Sequence, residues 1–176
     1  MQIILLTHER EVTRPSNTGQ LALECFPDIC TRIIWARTSP DAVLVKQLQT
    51  ADCALLFPEE IDSPSELAAL VSSSEKNSQV ASVLHDEQKS EPAMPSTLVI
   101  LDATWQEARK MLRRSDYLKN AQKYSISSQQ DSLFTLRRNQ VDGGLCTAEC
   151  IIELFKAANM PKQAAQLAEK FALMQK

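Results

Sequence analysis

Residues 97 to 110 read Thr97-Leu98-Val99-Ile100-Leu101-Asp102-Ala103-Thr104-Trp105-Gln106-Glu107-Ala108-Arg109-Lys110. The apolar opening has the pattern of a buried strand. A helix start comes directly behind it: Thr104 with Glu107 three residues on fits a capping box, worth about 1 kcal/mol to a helix. A strand running straight into a helix is the joint of an α/β fold, and in open α/β sheets small ligands bind outside the carboxyl ends of the strands. Asp102 and Trp105 stand at that corner. Capping accounts for Thr104 and Glu107 without any function, whereas Asp102 and Trp105 read either as a local hydrogen bond and a core plug or as part of a site.

Outward from this corner the same alternation continues. Short apolar or β-branched runs predict strands at about 2 to 7, 31 to 36, 52 to 57, 97 to 101 and 122 to 127. Ser39-Pro40 and Ser63-Pro64 each place a capping residue before a proline, and Glu66 completes a second capping box. This βαβα order predicts a mostly parallel sheet flanked by helices. Residues 71 to 96 are polar and proline-bearing and read as a surface excursion within one domain spanning 1–176. Phe134 to Arg138 looks extended, Val141 to Gly144 is a turn, Thr147 to Met160 is an amphipathic helix stopped by Pro161, and another helix closes the sequence.

Composition removes several functional classes. With 176 residues and 44% hydrophobic content, one domain with a substantial core is expected. No apolar run approaches the roughly 20 residues of a membrane span, and the opening Gln2 to Leu6 run is too short for the core of a signal peptide, so a soluble, cytoplasmic protein without a membrane partner is expected. Cys25, Cys30, Cys53, Cys146 and Cys150 form no CxxC pair and read as reduced thiols, with no metal site expected. The only glycines are Gly19, Gly143 and Gly144, so neither a GxGxxG fingerprint nor a GxxxxGK[ST] phosphate loop can be written. His8 and His85 are the only histidines, and no Ser-His-Asp or Cys-His set is legible. Glu9, Glu11 and Asp102 are carboxylates without a spacing that specifies paired-acid hydrolysis.

The net charge of −3 is unevenly distributed. Arg109, Lys110, Arg113, Arg114, Lys119 and Lys123 face one acid, Asp116, whereas residues 59 to 91 hold eight acids against Lys76 and Lys89. Such a split either solvates two helix faces or gives one face the positive potential that attracts a polyanion. Two more loops succeed strands. Thr7 to Gly19 crowds polar groups at the exit of the first strand, where Asn17 or Thr18 could cap the next helix. Phe57-Pro58-Glu59-Glu60 reads alone as a proline turn.

Taken together, four blocks resemble the DTW-domain family of tRNA-uridine aminocarboxypropyltransferases. They are His8-Glu9-x-Glu11-x-x-Arg14-Pro15-Ser16-Asn17-Thr18-Gly19, then Leu56-Phe57-Pro58, then Asp102 to Met111, then Leu136-Arg137-Arg138 with Leu145-Cys146-Thr147-Ala148-Glu149. The resemblance implies a SPOUT-like fold with a C-terminal trefoil knot. It implies S-adenosylmethionine as co-substrate and transfer of its 3-amino-3-carboxypropyl group to N3 of a tRNA uridine, with methylthioadenosine released. Under it Asp102 and Trp105 are the expected catalytic pair. Asp102 would hold the ammonium group or accept the N3 proton, and Trp105 would pack on the sulfonium, a contact worth about 0.5 to 2 kcal/mol. Asn17, Thr18, Leu56, Phe57, Pro58, Thr104, Leu145, Cys146, Thr147 and Ala148 would complete the cofactor site. Arg14, Arg109, Lys110, Arg113, Arg114, Arg137 and Arg138 would meet tRNA, with a monomer as the expected state. Two departures are visible: the sequence carries no cysteine-rich N-terminal extension of the kind many bacterial relatives have, which bears on tRNA docking, and Ala103 stands where glycine is common. The rival readings are transfer to ribosomal RNA, methyl transfer to RNA from the same cofactor, a non-catalytic RNA-binding adaptor, and a metal-dependent nucleotide hydrolase.

Overall fold

A computed structural model describes residues 1–57, 93–126 and 145–176. Its centre is a five-stranded sheet in which every pairing is parallel: β1 (Gln2–Thr7), β2 (Cys30–Ile34), β3 (Cys53–Leu56), β4 (Thr97–Asp102) and β5 (Lys123–Tyr124), in the spatial order β2-β1-β4-β3-β5. β1 and β4 lie side by side in the middle, with Thr7 opposite Asp102 at the carboxyl edge. A parallel strand buried on both faces needs apolar side chains in both directions. Ile3, Leu5, Leu98 and Ile100 point to one face, and Ile4, Leu6, Val99 and Leu101 to the other.

The first face is covered by α1 (Gly19–Cys25), α5 (Thr147–Ala157) and α6 (Pro161–Met174), through Ala22, Ile151, Leu154, Phe155 and Leu167. The second is covered by α2 (Ala42–Gln47), α3 (Trp105–Arg114) and α4 (Asp116–Lys119), through Leu44, Met111, Leu112 and Leu118. The α/β, mostly parallel architecture expected from the strand-helix alternation is therefore present. Each of the five expected strands is found, β5 with a shorter paired span than the apolar run suggested. The Ser63 capping box, the extended Phe134 to Arg138 segment, the turn at 141–144, and all but the last residues of the 71–96 excursion lie outside the described residues.

Two helix limits differ from the sequence reading. Ser39 does not cap α2; Asp41 does, its Oδ1 accepting from the Leu44 amide at 2.8 Å, and Pro40 precedes the cap. A carboxylate in front of the first turn is the stronger acceptor and also meets the positive end of the helix dipole. α5 stops at Ala157 rather than Met160 because Asn159 turns left-handed, with φ of 56°. There the Met160 amide donates to the Phe155 carbonyl at 2.8 Å and the Asn159 amide to the Lys156 carbonyl at 3.1 Å, the two bonds of a Schellman ending. Pro161 then begins α6 instead of merely ending α5. No helix among the described residues is long and apolar enough to cross a membrane.

The left-handed residue at this corner is open to substitution. Asn159→Ala should lower stability by about 1 kcal/mol, because a Cβ without a compensating polar group disfavours the left-handed region, while Asn159→Gly should stay within about 0.5 kcal/mol of the parent. Urea midpoints of the two variants check it.

Candidate active site

Asp102 ends β4, and its side chain is 2% exposed. Burying a carboxylate in this way is costly unless donors replace water. Three side chains do so. Thr7 Oγ1 and Asn17 Nδ2 each donate to Oδ2 at 3.0 Å, and Thr147 Oγ1 donates to Oδ1 at 3.0 Å. The Asp102 carbonyl also accepts from the His8 amide at 3.1 Å. The strand register delivers Thr7, the loop before α1 delivers Asn17, and the first residue of α5 delivers Thr147. Thr18 adds a further tie by accepting from the Ala148 amide at 3.2 Å. Asn17 Nδ2 also reaches the Glu11 carbonyl at 2.8 Å, and buried Glu11 pairs with Arg14.

Gly19 makes this approach possible. A Cβ there would lie 2.8 Å from Asp102 Oδ1, 3.0 Å from its Cγ and 3.1 Å from Asn17 Oδ1. The glycine of the first block is thus required by close packing against the carboxylate.

On the other face of the sheet edge, α3 opens with the expected capping box. Thr104 Oγ1 accepts from the Glu107 amide at 3.3 Å, and Glu107 Oε2 accepts from the Thr104 amide at 3.2 Å and its hydroxyl at 2.8 Å. Burial works to raise the Glu107 carboxyl, but the bonds from Thr104 and the influence of His8 and Arg14 outweigh it and hold it below the usual glutamate value. Trp105, half-buried, lies against Phe57 with ring centroids 6.4 Å apart. Asp102 turns toward α1 and α5, whereas Trp105 turns toward the end of β3. The two signature residues therefore flank the carboxyl edge from opposite faces.

The remaining candidates divide clearly. The structure gathers Asn17, Thr18, Thr147 and Ala148 around Asp102. Leu56 faces the core, so only its backbone is available to a ligand, and Leu145 and Cys146 lead half-buried into α5. Burial foremost, with the charge of Glu149 assisting, pushes the Cys146 thiol up to about 12, which leaves no thiolate nucleophile at neutral pH. Arg109, Lys110, Arg113 and Arg114 are all exposed on α3. Pro58, Arg137 and Arg138 lie outside the described residues. Three participants carry no signal of their part in the sequence. Thr7 looks like an ordinary strand end, and Trp35, just past β2, stacks on His8 with centroids 5.5 Å apart. Glu11 reads only as a carboxylate, not as the partner of Arg14. Among the described residues no group of three or more His, Cys, Asp or Glu is arranged to hold a metal ion.

A family model described as the DTW domain matches residues 1–176. The chain belongs to the DTW-domain family. That family is known for tRNA-modifying enzymes, and its match extends over every strand and helix described above. No solved structure matches the chain. The signature that names the family is here Asp102-Ala103-Thr104-Trp105, with its acid inside the protein and its tryptophan at the rim.

Thr147→Val removes one donor to Asp102 at nearly constant volume and should cost about 1 to 2 kcal/mol. Gly19→Ala should cost about 1 to 3 kcal/mol by overpacking the same oxygen. Because both act on Oδ1, the double variant should depart from additivity by at least about 0.5 kcal/mol, which a urea-denaturation cycle measures.

Proposed function

We propose that this protein transfers the 3-amino-3-carboxypropyl group of S-adenosylmethionine to N3 of a uridine in tRNA, forming the aminocarboxypropyl nucleoside and releasing methylthioadenosine. The observation that carries this reading is the convergence, in a DTW-domain chain, of the β1, β3 and β4 exits and the start of α5 on one sheet edge. The reaction forms a bond from N3 to the γ-carbon, breaks the bond from that carbon to the sulfonium, and releases the N3 proton. S-adenosylmethionine supplies an electrophilic carbon activated by its positively charged sulfur.

The residues present suit that molecule. Trp105, half-buried and backed by the buried ring of Phe57, offers aromatic surface to a sulfonium, which favours a cation over a ring face. Transfer of this group differs from methyl transfer only in which carbon beside the sulfur meets the nucleophile, so selectivity rests on orientation. Asp102 supports orientation by fixing Thr7, Asn17 and Thr147. Its oxygens are engaged by those three groups, so direct contact with the ammonium or the N3 proton requires one of them, most simply Thr147, to release its bond. The backbone at Leu56 and Phe57 and at Leu145 to Thr147, with Asn17, Thr18, Thr104 and Ala148 behind it, forms the rest of the cofactor site, and Pro58 extends it. Arg14, Arg109, Lys110, Arg113, Arg114, Arg137 and Arg138 receive tRNA phosphates, and the working unit is a monomer in the cytoplasm.

The same reading includes a SPOUT-like fold whose C-terminal part is knotted. It is supported by the strand order and by the return of the chain from β5, at one edge of the sheet, to α5, whose first residue reaches Asp102 at the end of the central β4.

Incubating purified protein with unmodified tRNA transcript and S-adenosylmethionine should yield aminocarboxypropyl-uridine by nucleoside mass spectrometry, with methylthioadenosine in equal amount. Methylated nucleoside with S-adenosylhomocysteine would identify a methyltransferase instead, product on ribosomal RNA alone would move the substrate, and tRNA binding without product would favour the adaptor. Neutralising Arg113 and Arg114 together should reduce the slope of log affinity for tRNA against log salt by about 1 to 2 while leaving cofactor affinity unchanged; an unaltered slope would remove α3 from the RNA face.

A further inference from the structure

The stacked rings of His8 and Trp35 are not among the groups to which the proposed function assigns transfer chemistry or cofactor binding. Their rings are 5.5 Å apart at an interplanar angle of 25°, and both are half-buried. Each is held from behind. Trp35 Nε1 donates to Ser115 Oγ at 3.0 Å and the Trp35 amide to the Thr7 carbonyl at 2.9 Å, while the His8 amide is bound to the Asp102 carbonyl at 3.1 Å. His8 Nδ1 also accepts from the Arg10 amide at 3.3 Å, which orients the ring. A platform so fixed loses little side-chain entropy when a ligand arrives.

Its surroundings are cationic. On α3, Glu107, Lys110 and Arg114 are spaced three and four residues apart and share one flank. Glu107 is influenced electrostatically by His8, and Ser115, the next residue after Arg114, is bonded to Trp35. Lys110 and Arg114 are exposed on the helix flank that carries Glu107, next in the chain to the Ser115 that binds Trp35, and Arg10 and Arg37 are exposed close to the two rings in the chain. Against these four cations stand exposed Glu9, the capping carboxylate Glu107, and Asp116 on the other side of Ser115, which is paired with Lys119. Simple core filling explains the anchoring of Trp35 but not a second ring laid over it and left half open among cations.

We propose that the open side of the His8 and Trp35 stack receives an unpaired base of the substrate RNA, with Lys110 and Arg114 taking adjacent phosphates. The inference rests on the reading of the protein as a tRNA-modifying enzyme and adds the feature by which it selects an unstacked nucleotide. Aromatic faces accept any base, and paired bases in a helix are inaccessible to them.

The test measures equilibrium binding of an unmodified tRNA transcript, and of a fully paired RNA duplex of similar length, to the wild type, His8→Ala, His8→Phe and the Lys110→Gln/Arg114→Gln double variant. Cofactor affinity of each is monitored by calorimetry. His8→Ala should weaken tRNA binding about 5- to 150-fold with an unchanged salt slope, and His8→Phe should restore it to within about threefold. Lys110→Gln/Arg114→Gln should lower the salt slope by about 1 to 2. The duplex should bind His8→Ala as it binds the wild type. Equal tRNA affinity for His8→Ala and wild type, or equal losses for His8→Ala and His8→Phe, would overturn the platform even where the transfer reaction is observed. Failure of the wild type to bind tRNA would instead overturn the functional reading on which the platform rests.

Discussion

A carboxylate taken out of water is the constraint around which this protein is arranged. Asp102 is almost wholly buried, and a charge so placed persists only if fixed donors replace its hydration. Hydrogen bonds to a charged group are worth about 1.5 to 3 kcal/mol each, so three of them offset much of that cost. The donors are 95, 85 and 45 residues away along the chain. The full set is in place only when β1 has paired with β4, the loop before α1 has reached the sheet edge and α5 has docked. The interaction therefore couples assembly of the sheet to assembly of the loops above it, and a half-formed site leaves an unpaired charge in the interior.

The parallel sheet decides where this happens. With every strand pointing the same way, all strand exits collect on one edge, and the helices on the two faces begin or end beside them. Thr7 and Asp102 are neighbours because β1 and β4 pair in register, and alternation of side chains sends both toward α1 and α5. One residue of slip would turn Asp102 toward α3 and place an apolar side chain against Asn17 and Thr147. The polar network thus specifies register as well as position.

Legibility in the sequence tracks the distance over which each interaction acts. The Thr104 and Glu107 box is readable because both partners lie within one turn, and the strands are readable because burial on two faces leaves continuous apolar runs. Ser39 misleads because the serine-proline pattern competes locally with Asp41, a better acceptor one residue past the proline. The end of α5 comes earlier than its apolar pattern suggests because Asn159 takes the left-handed position more often given to glycine. The surroundings of Asp102 are readable only through the family resemblance, which groups Asn17, Thr18, Thr147 and Ala148 with it; locally, a threonine ending a strand and another opening a helix carry no mark of meeting. The stack of His8 on Trp35 is hidden for the same reason, since its rings come from loops after different strands.

Helix α3 then relates the two faces of the edge to each other. Its start is fixed by the Thr104 cap, and its phase by Ala108, Met111 and Leu112 in the core. With rotation and origin both set, Trp105 is directed to Phe57 on one flank, while Glu107, Lys110 and Arg114 are directed to the side of His8 and Trp35 on the other. A rigid helix rising about 1.5 Å per residue turns these sequence spacings into fixed spatial intervals. Under the proposed function, residues that would meet the cofactor and residues that would meet RNA are held on one rod, so displacing the rod would change both together. Asp102, on the strand that feeds this helix, anchors its origin to β1 and α5. The acid in the signature thereby helps to position the tryptophan without being exposed beside it.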